Sequence, residues 1–183
     1  MKIIPTRIAG LFVLEATPFE DNRGSFARLF CSQELREIVA TRAIAQINLS
    51  RTRAVGAVRG LHYQRSPHAE MKFVHCIKGR VWDLALDLRS GSETYLQWHG
   101  EELSPLNRRT MVIPEGCAHG FQVLDPDSEL LYLHTASYEA SAEGGVQPTD
   151  PMLNIPWPLP VADLSTRDRS HPLLSSAFPG LRV

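Results

Sequence analysis

No run of apolar residues in the 183-residue chain approaches the roughly 20 needed to cross a bilayer as a helix. The N-terminal stretch Met1-Lys2-Ile3-Ile4-Pro5-Thr6-Arg7 lacks the apolar core of a signal peptide, so neither membrane insertion nor export by that route is expected. An excess of charge of one sign is also missing. The chain has 19 Lys and Arg against 20 Asp and Glu, a formal net charge of −1, so no global basic field draws nucleic acid and any anion site must be local. Cysteine is scarce and odd in number: Cys31, Cys76 and Cys117 share no paired spacing. That argues against a disulfide framework and reads as reduced, buried thiols in a cytoplasmic protein. No internal repeat, low-complexity tract or long linker divides the sequence, and its 43% hydrophobic and 21% charged residues are those of a folded globular protein. One domain spanning 1–183 is expected, large enough to bury roughly two thirds of the surface of its unfolded form.

Helical periodicity is scarce as well. Only 32–39 reads as a helix in the first half, with Ser32 as its N-cap and Leu35, Ile38 and Val39 on one side. Strand signals dominate instead. A β-rich segment over 8–19 is stopped by Pro18, a turn follows at 20–24, and a short strand is expected at 25–30. Further strands are expected at 44–50, 56–64, 71–77, 80–88, 94–103, 109–113, 119–124 and 129–135, most of them separated by turn signals such as Lys78-Gly79 and Asp125-Pro126-Asp127. Short strands at this spacing predict a sandwich or barrel. Within 82–88, Trp82, Leu84, Leu86 and Leu88 alternate with Asp83, Ala85 and Asp87; a solvated face for the second set is the simpler expectation, and a polar cavity would give the same pattern. After residue 138 prolines accumulate, predicting an irregular tail laid over the core.

The chain is organised around Arg59-Gly60-Leu61-His62-Tyr63-Gln64. Strand parity puts Gly60, His62 and Gln64 on one face and Arg59, Leu61 and Tyr63 on the other. Lys72 follows ten residues after His62, and Pro114-x-Gly116-x-x-His119 supplies a second imidazole at a turn. Small-barrel cupins bind metal with His-x-His and a glutamate from one motif and Pro-x-Gly-x-x-His from another. Here Gln64 stands where the second histidine belongs, and Lys72 has the same parity as Glu70. An ammonium beside a thin ligand set disfavours a divalent cation, so no metal or other cofactor is expected. The other chemistry open to these residues is acid–base work on an anionic small molecule. Histidine exchanges protons near neutral pH, and a lysine beside it stabilises a developing oxyanion or enolate.

The sequence resembles the dTDP-4-dehydrorhamnose 3,5-epimerase family through Phe19-x-Asp21-x-Arg23-Gly24-x-Phe26, Gln46-x-Asn48-x-Ser50, Arg59 to Gln64, Lys72, Gly79-x-Val81-x-Asp83, Asp87-x-Arg89-x-Gly91-Ser92-x-Thr94, Ile113-Pro114-x-Gly116-x-Ala118-His119-Gly120-Phe121, Tyr132, Tyr138, Asp150-Pro151 and Ser165-x-x-Asp168. These blocks run in order over nearly the whole chain. The resemblance implies an all-β, cupin-like jelly roll (double-stranded β-helix) with short peripheral helices and an irregular C-terminal tail. It also implies a homodimer in which the N-terminal segment of one subunit completes the nucleotide site of the other. The reaction would be metal-free epimerisation, at C3, C5 or both, of a nucleotide-linked 4-keto-6-deoxy sugar in deoxysugar (rhamnose) biosynthesis.

By the same resemblance His62 is the base, Asp168 orients it, Lys72 supports the enolate oxygen and Tyr132 donates the proton. Arg59 and Arg23 would lie near the diphosphate, with Arg167 where lysine is common. Gln46 and Asn48 would reach nucleotide or sugar, Phe19 and Phe26 would pack the base, and Tyr138 and His119 would line the pocket. One departure is Arg28, at a position often held by glutamate. Arginine only donates, which suits cytosine N3 better than a thymine N–H and raises a CDP- or GDP-linked sugar as an alternative. Two other classes compete: a metal-dependent cupin oxygenase or isomerase, and a sugar-binding module without chemistry. The missing second histidine argues against the first, and the joint presence of His62, Lys72, Tyr132 and Asp168 against the other.

Overall fold

The computed structural model describes residues 1–183. Its strands begin with β1 (Lys2–Pro5), β2 (Phe12–Glu15), β3 (Phe19–Asp21) and β4 (Gly24–Phe26), followed by helix α1 (Arg36–Val39). Next come β5 (Gln46–Thr52), β6 (Ala57–Gln64), β7 (Lys72–Lys78), β8 (Val81–Asp87), β9 (Trp98–Leu103), β10 (Arg109–Ile113), β11 (Cys117–Val123) and β12 (Ser128–His134). The C-terminal part adds β13 (Glu143–Gly145), β14 (Asp163–Leu164) and α2 (Thr166–Ser170). No helix is long and apolar enough to cross a membrane.

Two sheets form a jelly roll. One has the order β1-β2-β10-β7-β12-β5, and the other β13-β6-β11-β8-β9 with β14 parallel to β6. The β3–β4 hairpin stands apart from both. Alternation along the strands sends Val74, Cys76, Met111 and Ile113 of the first sheet against Val81, Ala85, Phe121 and Val123 of the second, and these fill one half of the space between them. The other half is the cavity described below.

Both sheets are also covered on their outer faces. Over the first, Phe73 and Val112 meet Leu35, Val39 and Met71, with Phe30 edge-on to Phe73 at 5.3 Å. The expected helix over 32–39 is only its last turn: Leu35 is the N-cap residue, with no side-chain cap, and Ser32 lies in a turn before it. Burial of Leu35 and Val39, at roughly 2 kcal/mol each, holds the segment where capping does not.

Over the second sheet, Leu84, Leu86 and Leu88 are covered by Leu153, Ile155, Trp157, Phe178 and Leu181 of the C-terminal tail. This corrects the solvated-face expectation for β8. The apolar set points outward beneath the tail, while Asp83 and Asp87 point inward and are fully buried. Asp87 is held by Arg89 at 2.9 and 2.8 Å, Ser92 at 2.6 Å and Thr94 at 2.7 Å. Burial opposes its ionisation, but these donors bring its carboxyl down to about 2. They also hold the turn at 93–96, so β9 starts at Trp98 rather than at 94. The strand expected at 25–30 is the second half of the β3–β4 hairpin. The tail, though proline-rich, contributes β13, β14 and α2. Cys76 and Cys117 are buried, their thiols pushed up to about 11 and about 12 by desolvation, while Cys31 is half-buried.

Candidate active site

A cavity of about 600 Å³ opens between the two sheets. One wall is β6, and its side chains do not follow simple alternation. Against β11, His62 pairs with His119 but Arg59 pairs with Phe121, so β6 carries one residue more than its partner over this stretch. Such a bulge changes which face the residues beyond it present. Arg59 therefore lines the cavity together with His62 and Gln64, while Leu61 and Tyr63 pack outward under the tail; the two-face assignment by parity is corrected here. Two glycines permit the crossing. A Cβ on Gly60, whose φ is +132°, would come 2.5 Å from Gly120 Cα, and one on Gly120 would come 2.8 Å from the Arg59 carbonyl oxygen.

His62 is about one third exposed, and its Nε2 lies 2.7 Å from Asp168 Oδ1. Its Nδ1 is left without a protein partner. Asp168 reaches this position because β14 lies alongside β6 and Ser165 caps α2, its hydroxyl accepting the Asp168 N–H at 3.0 Å. The second carboxylate oxygen accepts the Gly60 N–H at 3.4 Å. Burial alone would raise the Asp168 carboxyl, but the hydrogen bond and charge of His62, with the Gly60 N–H, carry it below its ordinary value. A carboxylate so held fixes the imidazole tautomer and the orientation of the ring.

The facing wall comes from β5, β7 and β12. Lys72 Nζ lies 3.2 Å from Glu70 Oε1 and donates to the His62 carbonyl at 3.3 Å. Glu70 also takes His134 Nδ1 at 2.9 Å. Desolvation pushes the Glu70 carboxyl up, yet His134 and Lys72 together leave it lowered. The His134 ring stacks on Tyr132 at 5.9 Å, and His119 meets Tyr132 edge-on at 5.8 Å. Burial raises the Tyr132 phenol well above its ordinary value, so the hydroxyl keeps its proton; Ser50 approaches it at 3.5 Å. His119 Nε2 lies 2.7 Å from Asp83 Oδ1. Burial pushes the Asp83 carboxyl up against the pull of His119.

At the mouth, Gln46 accepts the Tyr138 N–H at 3.0 Å, the Tyr138 hydroxyl donates to Glu143 at 2.7 Å, and Arg167 pairs with the same carboxylate. Asn48 lines the cavity, and Arg59 is aimed by its bond to Thr52 Oγ1 at 2.9 Å. Gln64 faces the cavity, yet its amide is committed to the His68 and Ser137 carbonyls and the Glu139 N–H, so it holds a loop.

The structure thus brings His62, Asp168, Lys72, Tyr132, Gln46, Asn48, Arg59, His119, Tyr138 and Arg167 to one cavity. Arg23, Phe26 and Arg28 lie outside the cavity of their own chain. Arg23 pairs with Asp21 on the β3–β4 hairpin, Phe19 and Phe26 are 76% and 69% exposed there, and Arg28 pairs with Glu34. His134, Glu143 and Thr52 also line the cavity, and no sequence motif singled them out; His171 stands beside Asp168 but outside the lining. For His134 the shared parity with Tyr132 on one strand was an available signal; Glu143 and His171 lie in the tail, where no periodicity pointed to them.

The sequence profile of the family described as dTDP-4-dehydrorhamnose 3,5-epimerase matches residues 5–176. The dTDP-4-dehydrorhamnose 3,5-epimerase of Salmonella typhimurium is 38% identical over 180 residues, covering 97% of this chain and 98% of that one. The dTDP-4-dehydrorhamnose 3-epimerase of Streptomyces niveus is 36% identical over 178 residues, covering 97% and 86%. Among solved structures, the dTDP-6-deoxy-D-glucose-3,5-epimerase of Legionella pneumophila, in complex with dTDP-4-keto-L-rhamnose, superposes with a TM-score of 0.91 at 37% identity, covering 100% of this chain and 98% of that one.

Proposed function

The chain belongs to the dTDP-4-dehydrorhamnose 3,5-epimerase family, and from that premise we propose how its cavity performs the reaction. The enzyme is an isomerase acting on a nucleotide-linked 4-keto-6-deoxy sugar, in which the C4 ketone acidifies the neighbouring C–H bonds. Epimerisation removes a proton from one face of the sugar and returns one to the other. His62, oriented by Asp168, takes the proton through Nδ1. The Lys72 ammonium stabilises the enolate oxygen, and Tyr132, kept protonated by burial, delivers a proton from the other side. The observation that supports this best is that the His62–Asp168 pair and Tyr132 line one cavity from different sheets.

Arg59 and Arg167 supply guanidinium groups for the diphosphate. The family's nucleotide is dTDP, and Arg28, the residue that raised a cytosine base, is engaged by Glu34 rather than free to donate to a base. A second copy of the chain completes the site: the β3–β4 hairpin, with Arg23 and two exposed phenylalanines, reaches into the partner's cavity. The protein acts in the cytoplasm, where its three free thiols stay reduced.

Relatives that act at C3 alone and at C3 and C5 are similarly close to this chain, so the positions attacked are read directly. Proton NMR of dTDP-4-keto-6-deoxyglucose in D2O shows loss of both the C3 and C5 signals for double epimerisation and of one for single. His62→Ala is expected to slow the exchange by about 10²–10⁴-fold; full turnover in that variant overturns the assignment of the base.

A further inference from the structure

We propose that His62, Asp168 and His171 form a binding site for a first-row transition-metal ion of the Zn2+ type, in which the metal replaces the proton shared by His62 and Asp168. That such an ion shuts the enzyme off rests on His62 being the base; the binding itself does not.

Three observations meet at this point. His62 Nε2 lies 2.7 Å from Asp168 Oδ1 and His171 Nε2 lies 4.0 Å from the same oxygen. One ligand atom from each residue falls within 4.8 Å of the other two. A tetrahedral ion with ligands roughly 2.0–2.1 Å away holds those atoms about 3.3 Å apart, between the two nitrogen–oxygen separations, so small ring movements convert one arrangement into the other. Second, His171 Nε2 is buried with no hydrogen-bond partner, an unfavourable state for a polar nitrogen that a metal bond relieves. Third, the ring's position is built into the fold. His171 follows α2 three residues after Asp168, its ring meets that of His62 edge-on at 5.7 Å, and a side chain at Gly145 of β13 would overlap it.

Two imidazoles and one carboxylate suit Zn2+, Co2+ or Ni2+, whereas Mg2+ and Ca2+ favour oxygen ligands. The neighbouring Arg167 is paired with Glu143, whose carboxylate offsets its charge beside the site. This place also differs from the interior site that a His-x-His motif would build. There His119 is taken by Asp83, and Glu70 by Lys72 and His134. A metal on Nε2 leaves a neutral His62 ring with its one proton on Nδ1. The lone pair that takes the substrate's proton is then gone.

The test titrates the metal-free protein with Co2+, followed by its visible absorption, and with Zn2+ by calorimetry, alongside turnover. One equivalent is expected to bind wild type. His171→Ala and the closer-sized His171→Asn are each expected to bind at least about tenfold more weakly and to need at least about tenfold more Zn2+ for inhibition, with metal-free turnover within about threefold of wild type. Absence of binding to wild type, or equal binding to wild type and both variants, overturns the proposal. The spectroscopic and calorimetric arms decide the site even if no turnover is found, an outcome that would count against the epimerase reading alone.

Discussion

In the proposed reaction His62 and Tyr132 divide two proton-transfer roles, and their surroundings differ accordingly. His62 is partly exposed and backed by a carboxylate held in its charged form. Tyr132 is surrounded by His119, His134 and Ser50, and burial keeps its phenol protonated. Removing the phenol oxygen leaves the base intact. Tyr132→Phe is therefore expected to exchange substrate hydrogen for deuterium at a rate within about tenfold of wild type while inverting the centre at least about 10²-fold more slowly. Mass and NMR analysis of substrate recovered from D2O separates the two rates; equal loss of exchange and inversion would assign Tyr132 to binding instead.

At the scale of the element, β6 has the largest effect on the site. Its bulge against β11 turns Arg59 inward beside His62, and it depends on the backbones of Gly60 and Gly120 passing where no Cβ fits. Gly60→Ala would add a methyl at positive φ and against Gly120 Cα, and is expected to cost on the order of 1–3 kcal/mol in urea unfolding. Activity should fall further than that loss of folded protein explains, because Arg59 and His62 sit on either side of the distortion. A variant with wild-type stability and turnover would show that the strand tolerates a regular path.

Across the whole molecule, β8 ties the cavity to the outer shell. Asp83 faces His119 at the site, while Asp87 closes a buried network with Arg89, Ser92 and Thr94. The Asp87 carboxyl is depressed from 3.8 to about 2, so its contribution is fully present above its unfolded value and is lost as pH falls through the folded one. From that difference the contribution is on the order of 2 kcal/mol. Asp87→Asn should lower stability by about that amount at neutral pH and flatten the acid dependence between about pH 4 and 2; parallel unfolding curves at both pH values would contradict it. The assembly is tested by mixing His62→Ala copies with Arg23→Ala copies. If hairpins cross between subunits, mixed dimers regain one intact cavity and activity returns above that of either variant alone. No recovery, or a monomer in light scattering, would refute the exchange.

The amino-acid pattern by itself determined most of the strand rhythm, because period-2 alternation between turn residues is a local property: β5 to β8 and β10 to β12 lie close to where alternation and turns put them. It also marked the blocks that carry His62, Lys72, His119 and Tyr132. It could not say which face of β8 was solvated, since both faces are covered and the cover arrives from a tail some 70 residues later. Nor could it bring Asp168 to His62 across 106 positions, turn Arg59 inward, link His134 to Glu70, or set the His171 ring against that of His62. Those were decided only by the tertiary structure. The hydrogen-bond partner of a buried charge is chosen by which backbones pass close enough to supply one, and closeness between distant segments is a property of the packed sheets rather than of any stretch of chain.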